Sequence, residues 1–236
     1  MFRFASLGSG SAGNALIIEA GDTRLMLDCG MTVRDTEARC ARLGIEPCAL
    51  AGILVTHEHD DHVGGVFQFA RKHALPVWIT YGTWRAVNPD PEAVVSSGIN
   101  LIDSHEPFSV GDLEVLPFPV PHDAREPVQY VLSDGASRLG VLTDTGMPTA
   151  HITAMLSGCN ALVLECNHDP QMLARGPYPS WLKQRVGGSF GHLANEQAAA
   201  LLGSPPAPII GAPGPPPGKP EPGNANGPGP TGDIPV

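Results

Sequence analysis

A chain of 236 residues with 42% hydrophobic content is long enough to bury one α/β core of ordinary size. It holds no run of about 18 apolar residues, which argues against a membrane span, and residues 1–6 lack the long apolar segment of a signal peptide, so the expected location is the cytoplasm. A formal charge of -10 argues against a broad basic clamp on nucleic acid, although acidic metal ligands would account for part of it and bound dications would offset it locally.

Residues 2–6 read as a first strand, the glycine-rich stretch Leu7-Gly8-Ser9-Gly10-Ser11-Ala12-Gly13-Asn14 as a loop, and residues 15–19 as a second strand. A phosphate cradle would need a helix after that loop. A strand follows, so a tight hairpin is expected, with the serines as candidates for bordering a pocket. Residues 24–27 form a third strand ending at Asp28. Thr32 is placed to cap a helix that runs to about Leu43 and closes at Gly44. A strand at 52–55, a helix at 66–73 and a strand at 76–80 continue a β-α-β-α-β order. The pattern then turns to strands at 112–118, 128–132 and 139–143, the last two flanking a Ser133-Asp134-Gly135 turn. A helix near 149–157, a strand at 161–165 and helices near 179–186 and 194–202 complete the pattern. The cysteines, Cys29, Cys40, Cys48, Cys159 and Cys166, form no CxxC pair and read as small buried hydrophobes without assigned chemistry.

The chemistry is concentrated directly after the strand at 52–55, in Thr56-His57-Glu58-His59-Asp60-Asp61-His62. Histidines at i and i+2 of an extended segment converge on one cation, while the adjoining Asp-His turns toward a second. Neutral imidazole and carboxylate suit zinc and similar divalent ions. Two further polar residues close apolar strands: His122 in Pro121-His122-Asp123 and Asp144 in Leu142-Thr143-Asp144. Each alone would be an ordinary loop or turn residue. Together they offer a third imidazole for one metal and a carboxylate able to bridge two.

With these motifs in place, residues 2 to about 203 resemble the metallo-β-lactamase superfamily. The resemblance implies a four-layer αβ/βα sandwich of the α/β class with its site at one edge of two sheets. It implies that His57, His59 and His122 hold a first metal and that Asp61 and His62 hold a second. Asp144 would bridge them, and Asp28 would orient the histidine loop rather than bind metal. Finer matches are the Ser6–Asn14 stretch, Pro121-His122-Asp123-Ala124, Glu165-Cys166-Asn167-His168-Asp169 and Gly191-His192-Leu193-Ala194-Asn195. They are similar to the YycJ/WalJ-like branch of small hydrolases, which is associated with 5′-to-3′ exonuclease activity on DNA.

The implied activity is metal-dependent phosphodiester hydrolysis by a hydroxide held between two divalent ions, zinc or manganese, with DNA as substrate. Asp61 would orient that nucleophile. His192 would either protonate the leaving oxygen, as in the ribonuclease Z group, or serve as a capping or supporting residue. A small cyclic phosphodiesterase and a lactone or thioester hydrolase are the alternatives, while fold alone does not fix function. His73, His105 and His151 read as ordinary, and Asn167 and His168 receive no role.

The resemblance ends at Gly203. Residues 204–236 carry nearly half of the 25 prolines and few large apolar side chains, so a disordered tail is expected beside a 1–203 domain. Family members continue into a strand with a further histidine and a final helix. This strand-helix unit is expected to be missing, as from a truncated or out-of-frame terminus, which leaves the second metal weak and an impaired metal-binding protein as the other reading. The oligomeric state is not legible in the sequence.

Overall fold

A computed structural model describes residues 1–87 and 98–203 together with the backbone of 209–211. In chain order the elements are β1 (Phe2–Gly8), β2 (Ala15–Ala20), β3 (Thr23–Leu27), α1 (Val33–Arg42), β4 (Gly52–Leu54), α2 (Asp60–Val63), α3 (Val66–His73), β5 (Val77–Thr80), α4 (Tyr81–Val87) and β6 (Ile99–Ile102). They are followed by β7 (Phe108–Val110), β8 (Leu113–Pro119), β9 (Val128–Ser133), β10 (Arg138–Leu142), α5 (Ala150–Leu156), β11 (Ala161–Leu164), α6 (Pro170–Arg175), α7 (Ser180–Val186), α8 (Asn195–Leu202) and β12 (Ile209–Gly211).

Two six-stranded sheets result, ordered β1-β2-β3-β4-β5-β6 and β12-β11-β10-β9-β8-β7. The first begins antiparallel and becomes parallel from β3 onward. The second is antiparallel from β7 to β10 and parallel from β10 to β12.

The period-two alternation of each strand divides the side chains between layers. On β2, Leu16 and Ile18 point into the space between the sheets, where they meet Leu113, Val115, Tyr130 and Val141. Ile17 points the other way, into a core closed by Val66, Phe69 and Ala70 of α3 and Cys40 of α1. A matching core lies outside the second sheet, where Val131, Leu142 and Leu164 pack on Ile152 and Leu156 of α5 and Ala198 of α8. The layers are therefore helix, sheet, sheet and helix, as the family resemblance implied.

Capping follows the sequence reading where an oxygen side chain precedes the helix. The Thr32 side chain accepts from the Asp35 amide, and Thr149 does the same for α5. Helices α4 and α6 and strands β6 and β7 were not legible, because each is short and carries little apolar periodicity. Only α6 had a local signal: Asp169 accepts from the amides of Gln171 and Met172, with proline in the first turn.

The expected tail falls mostly outside the described residues. One difference lies within it: the backbone of 209–211 pairs in parallel with β11 as an edge strand, where the sequence reading had placed a missing strand and an end of order at Gly203. Composition averaged over a Pro/Gly tract hides a three-residue apolar segment that needs only a free sheet edge to pair. None of the described helices is long and apolar enough to cross a membrane.

Candidate metal centre

Strand ends from both sheets meet at one edge of the sandwich, and polar residues cluster there because each follows directly on a buried apolar strand. β3 ends at Asp28, β4 leads into Thr56 and His57, β8 leads to His122, β10 to Asp144 and β11 to Glu165. The histidine loop is tied to both sheets: the Asp28 amide donates to the Leu54 carbonyl, and the Val128 amide donates to the Thr56 carbonyl. Tyr130, buried between the sheets, donates its hydroxyl to the Val55 carbonyl at 2.7 Å. Gly30 lets the next segment press against the loop, since a Cβ there would lie 1.7 Å from the Asp61 carbonyl oxygen.

Asp28 is 2% exposed and lies beneath this loop. It adopts a φ of 58°, a left-handed conformation that aspartate tolerates better than most residues. One carboxylate oxygen accepts from the Thr56 amide, and the other accepts from the Thr56 hydroxyl and lies 2.7 Å from His62 Nδ1.

Three imidazoles converge beside it. His57 Nε2 lies 3.0 Å from His59 Nδ1, which lies 3.2 Å from His122 Nε2. The outer nitrogens of His57 and His122 settle the tautomers of these two rings. The Gly191 carbonyl, 2.9 Å from His122 Nδ1, requires a proton on that nitrogen and leaves a lone pair on Nε2. Thr56 already donates its hydroxyl to Asp28, so it accepts from His57 Nδ1, and His57 Nε2 likewise carries a lone pair. Burial holds both rings neutral, with His57 well below the ordinary histidine range and His122 at about 4. Neutral imidazoles with lone pairs aimed at one point are the ligand form.

The second group forms around Asp144, which is buried. Its Oδ2 lies 2.7 Å from His62 Nε2 and its Oδ1 lies 3.1 Å from His192 Nδ1. These are ion-pair distances without hydrogen-bond geometry, and both oxygens are sealed from solvent without a hydrogen-bond partner. Burial works against charge on His62, yet Asp144 and Asp28 on its two sides outweigh it and raise its pKa well above the ordinary value. Asp61 stands at the rim, its Oδ2 3.7 Å from His62 Nε2 and accepting from Asn14 Nδ2 at 3.1 Å. Burial raises its pKa. Asn14 belongs to the glycine-rich loop, and its amide donates to the Asp61 carbonyl. That loop is therefore a brace for the site as well as a hairpin. Ser9 from it and Ser6 from β1 line a cavity of about 360 Å³ that reaches Asp28 and Thr143.

His192 completes the cluster. Its ring centroid lies 5.3 Å from that of His122, and its Nδ1 pairs with Glu165 Oε1 at 2.7 Å. Burial disfavours the charged ring, but Asp144 and Glu165 raise its pKa to about 10, while burial raises that of Glu165 to about 7. The Thr145 and Leu193 amides donate to Glu165 Oε2 and fix the carboxylate.

Among the described residues, three groups offer donor atoms within 4.8 Å of one another: His57-His59-His122, His57-His62-Asp144 and Asp144-Glu165-His192. The donor set fits a divalent cation on two observations: lone pairs aimed at a common point, and a buried carboxylate with both oxygens unbonded. All the residues singled out in the sequence meet at this edge, with Asp61 more peripheral than the rest. Glu165, Thr56, Asn14 and Asp123 had been given no role. Glu165 had a readable signal, a carboxylate directly after the apolar strand 161–164, as with Asp28 and Asp144. His73 lies apart, paired with Glu37 on the surface. All five cysteines are free, and Cys48 is exposed rather than buried.

The family model described as "Beta-lactamase superfamily domain" matches residues 23–208. The exodeoxyribonuclease YycJ of Bacillus anthracis is 37% identical over 200 residues, spanning 85% of this chain and 76% of that protein. The exodeoxyribonuclease WalJ of Streptococcus pneumoniae is 32% identical over 203 residues, with the same shares. Among solved structures, the metallo-beta-lactamase fold protein YhfI of Bacillus subtilis superposes with a TM-score of 0.66 at 16% identity, covering 86% of this chain and 81% of that one. Zn(2+)-bound PqqB of Methylobacterium extorquens gives 0.68 at 18%, covering 89% and 86%.

Proposed function

This chain belongs to the beta-lactamase superfamily, and we propose that it is a metal-dependent phosphodiesterase that hydrolyses DNA from an end, 5′ to 3′. The observation that carries the reading is Asp144, a buried carboxylate with both oxygens unbonded, set between two groups of imidazoles. The names of the relatives supply the substrate class.

In this reading two divalent ions, zinc or manganese, would be held by His57, His59 and His122 on one side and by Asp61 and His62 on the other, with Asp144 shared. Bound there, the ions supply Lewis-acid activation of water and neutralise charge on the phosphoryl group. The chain's own residues do the rest. Asp28 and Thr56 hold the loop rigid, and Asn14 fixes the direction of the Asp61 carboxylate toward the nucleophile. With His192 Nδ1 engaged by Glu165, its Nε2 is the nitrogen that carries a proton for the leaving oxygen. Among the described residues, Glu165 stands close enough to Asp144 to be a further donor to the second ion, with water as the other.

The deciding experiment offers purified, metal-loaded protein an end-labelled duplex DNA, bis(p-nitrophenyl) phosphate and a thioester. Cleavage of the first two is expected. Turnover of the thioester alone would overturn the reading.

Two further results are expected. His192→Gln lowers kcat by roughly 10²–10⁴-fold, as loss of a general acid does, and leaves the metal content of the protein unchanged. An unaltered kcat would reduce His192 to a supporting role. Metal titration at pH 7 should also release a proton. The pKa of metal-free His62 is raised well above the ordinary value, so the ring is protonated at pH 7 and must lose that proton to become a ligand. Affinity at that site therefore rises with pH up to the His62 pKa. His57 and His122, already neutral, contribute no such release. Calorimetry in buffers of different ionisation enthalpy measures the count, and zero released protons would contradict the assignment.

A further inference from the structure

We infer that the surface formed by Trp181, Arg185 and Phe190 is the track on which a single strand of the DNA substrate lies as it enters the metal centre. This rests on the nuclease reading of the site and names the part of the protein that grips the strand.

Charge gives the first observation. The chain has 24 acidic against 14 basic residues, yet from Pro170 to His192 it carries Arg175, Lys183 and Arg185 and no Asp or Glu. This stretch leads directly into His192 at the site. A phosphate backbone is attracted to such a local excess even on a protein of negative net charge.

Exposure gives the second. Trp181 is 64% exposed and Phe190 is 62% exposed. Large aromatic rings left in water beside a catalytic cleft form a surface for a partner. Rings interleaved with cationic side chains are the composition of single-strand binding surfaces, because every base has a face to stack and every phosphate a charge to pair.

Position gives the third. The main chain of residues 189–191 is clamped against the site: a Cβ on Gly146 would lie 2.3 Å from the Ser189 carbonyl carbon, and the Gly191 carbonyl lies 2.9 Å from His122 Nδ1. Phe190 therefore sits at the rim of the first histidine group. Arg185 Nε donates to Asp123 Oδ2 at 2.6 Å, and Asp123 Oδ1 lies 3.5 Å from His122 Nε2 and 3.7 Å from His59 Nε2. The guanidinium thus stands one carboxylate away from the same group, with N–H donors beyond Nε for a phosphate. Trp181 precedes Arg185 by four residues on α7, so the two share a face, one helical turn apart. Phe190 and Arg185 lie at the rim and Trp181 lies farther out. The rings stack successive bases, and Arg185 pairs the phosphate between them.

The test measures binding separately from cleavage. A fluorescein-labelled oligothymidine is titrated in chelator with wild type, Trp181→Ala, Phe190→Ala and the double variant, each checked by thermal melting. Leu101→Ala, an exposed apolar residue on β6, is the control. Each single variant is expected to weaken binding roughly 10-fold, as loss of one stacking ring does, and the control to leave it unchanged. The Arg185→Ala variant should flatten the dependence of log affinity on log salt by about 0.7, the share of one phosphate on a single strand. Wild-type affinity in the double variant would overturn the track, as would an oligonucleotide that wild type fails to bind. Cleavage assays on the same proteins keep the two readings apart. If wild type binds the strand through these rings but cuts no DNA, the track stands and the nuclease reading fails. If the double variant cuts DNA as wild type does, the track fails and the nuclease reading stands.

Discussion

On the proposed two-metal reading, replacing Asp144 with asparagine is expected to remove nearly all phosphodiester turnover and to lower the bound metal from two ions per chain to one. The carboxylate belongs to two of the three donor groups and lies 2.7 Å from His62 Nε2 and 3.1 Å from His192 Nδ1. Its pKa is driven well below the ordinary carboxylate range: burial opposes the charge, but His62 and His192 outweigh it. Asparagine keeps the shape and removes the charge. One oxygen becomes an amide nitrogen with donors only, which faces one of the two imidazoles and any cation as a repulsive group. Losing an outer partner of a metal ligand costs 10–100-fold in affinity or activity, and the loss of a shared ligand should exceed that range. We expect a fall in kcat of about 10³-fold, comparable with the removal of a preorganised charge-stabilising group from a water-poor site. Metal counting by atomic emission and reporter kinetics check it together. Two ions per chain with unchanged turnover would remove Asp144 from the site.

The largest stability effect is expected at Asp28, which touches no catalytic atom in this reading. Alanine there leaves the Thr56 amide and hydroxyl without their acceptor and takes away one of the two carboxylates beside His62. Breaking a buried charged pair by removing one partner costs about 3–5 kcal/mol. A Cβ-bearing residue without a polar side chain at a φ of 58° adds about 1–2 kcal/mol. Asp28→Asn retains one acceptor oxygen and a residue that tolerates the left-handed region, so it should lose less. Denaturant melts in chelator measure the stability, and metal titration should show affinity lowered by about 10–100-fold through the displaced loop. A Asp28→Ala protein as stable as wild type would show that the loop is held by other contacts.

Both experiments probe the same design. In the first group, His57 and His122 are preorganised without metal, since their tautomers are set by Thr56 and Gly191. The second is held together by opposite charges, with His62 protonated in place of a cation. A dication entering there would displace a proton from a ring already aimed at it, whereas His57 and His122 already offer lone pairs.

Much of this was legible in the sequence, for definite reasons. His57, His59, Asp61 and His62 lie within six residues at the end of an apolar strand, so a local pattern sufficed. The order of strands and helices was readable from apolar runs and turn residues, whereas the four-layer arrangement came from the resemblance to a family. His122 and Asp144 each carry a weak local signal, a polar residue closing an apolar strand, and the resemblance to a family is what drew them to the same point. Short elements such as β6, β7 and α4 lacked the length over which periodicity is readable.

What only the tertiary structure decided is which groups face one another. Glu165 and His192 are 27 residues apart and meet at 2.7 Å because β11 and the segment before α8 end side by side. Asn14 and Asp61 meet because Gly30 has no Cβ to keep the loops apart. The sequence determined the donors, since their chemistry is a property of each residue. Their tautomers, charges and neighbours depend on burial and on contacts between distant segments, and these exist only once the two sheets have packed.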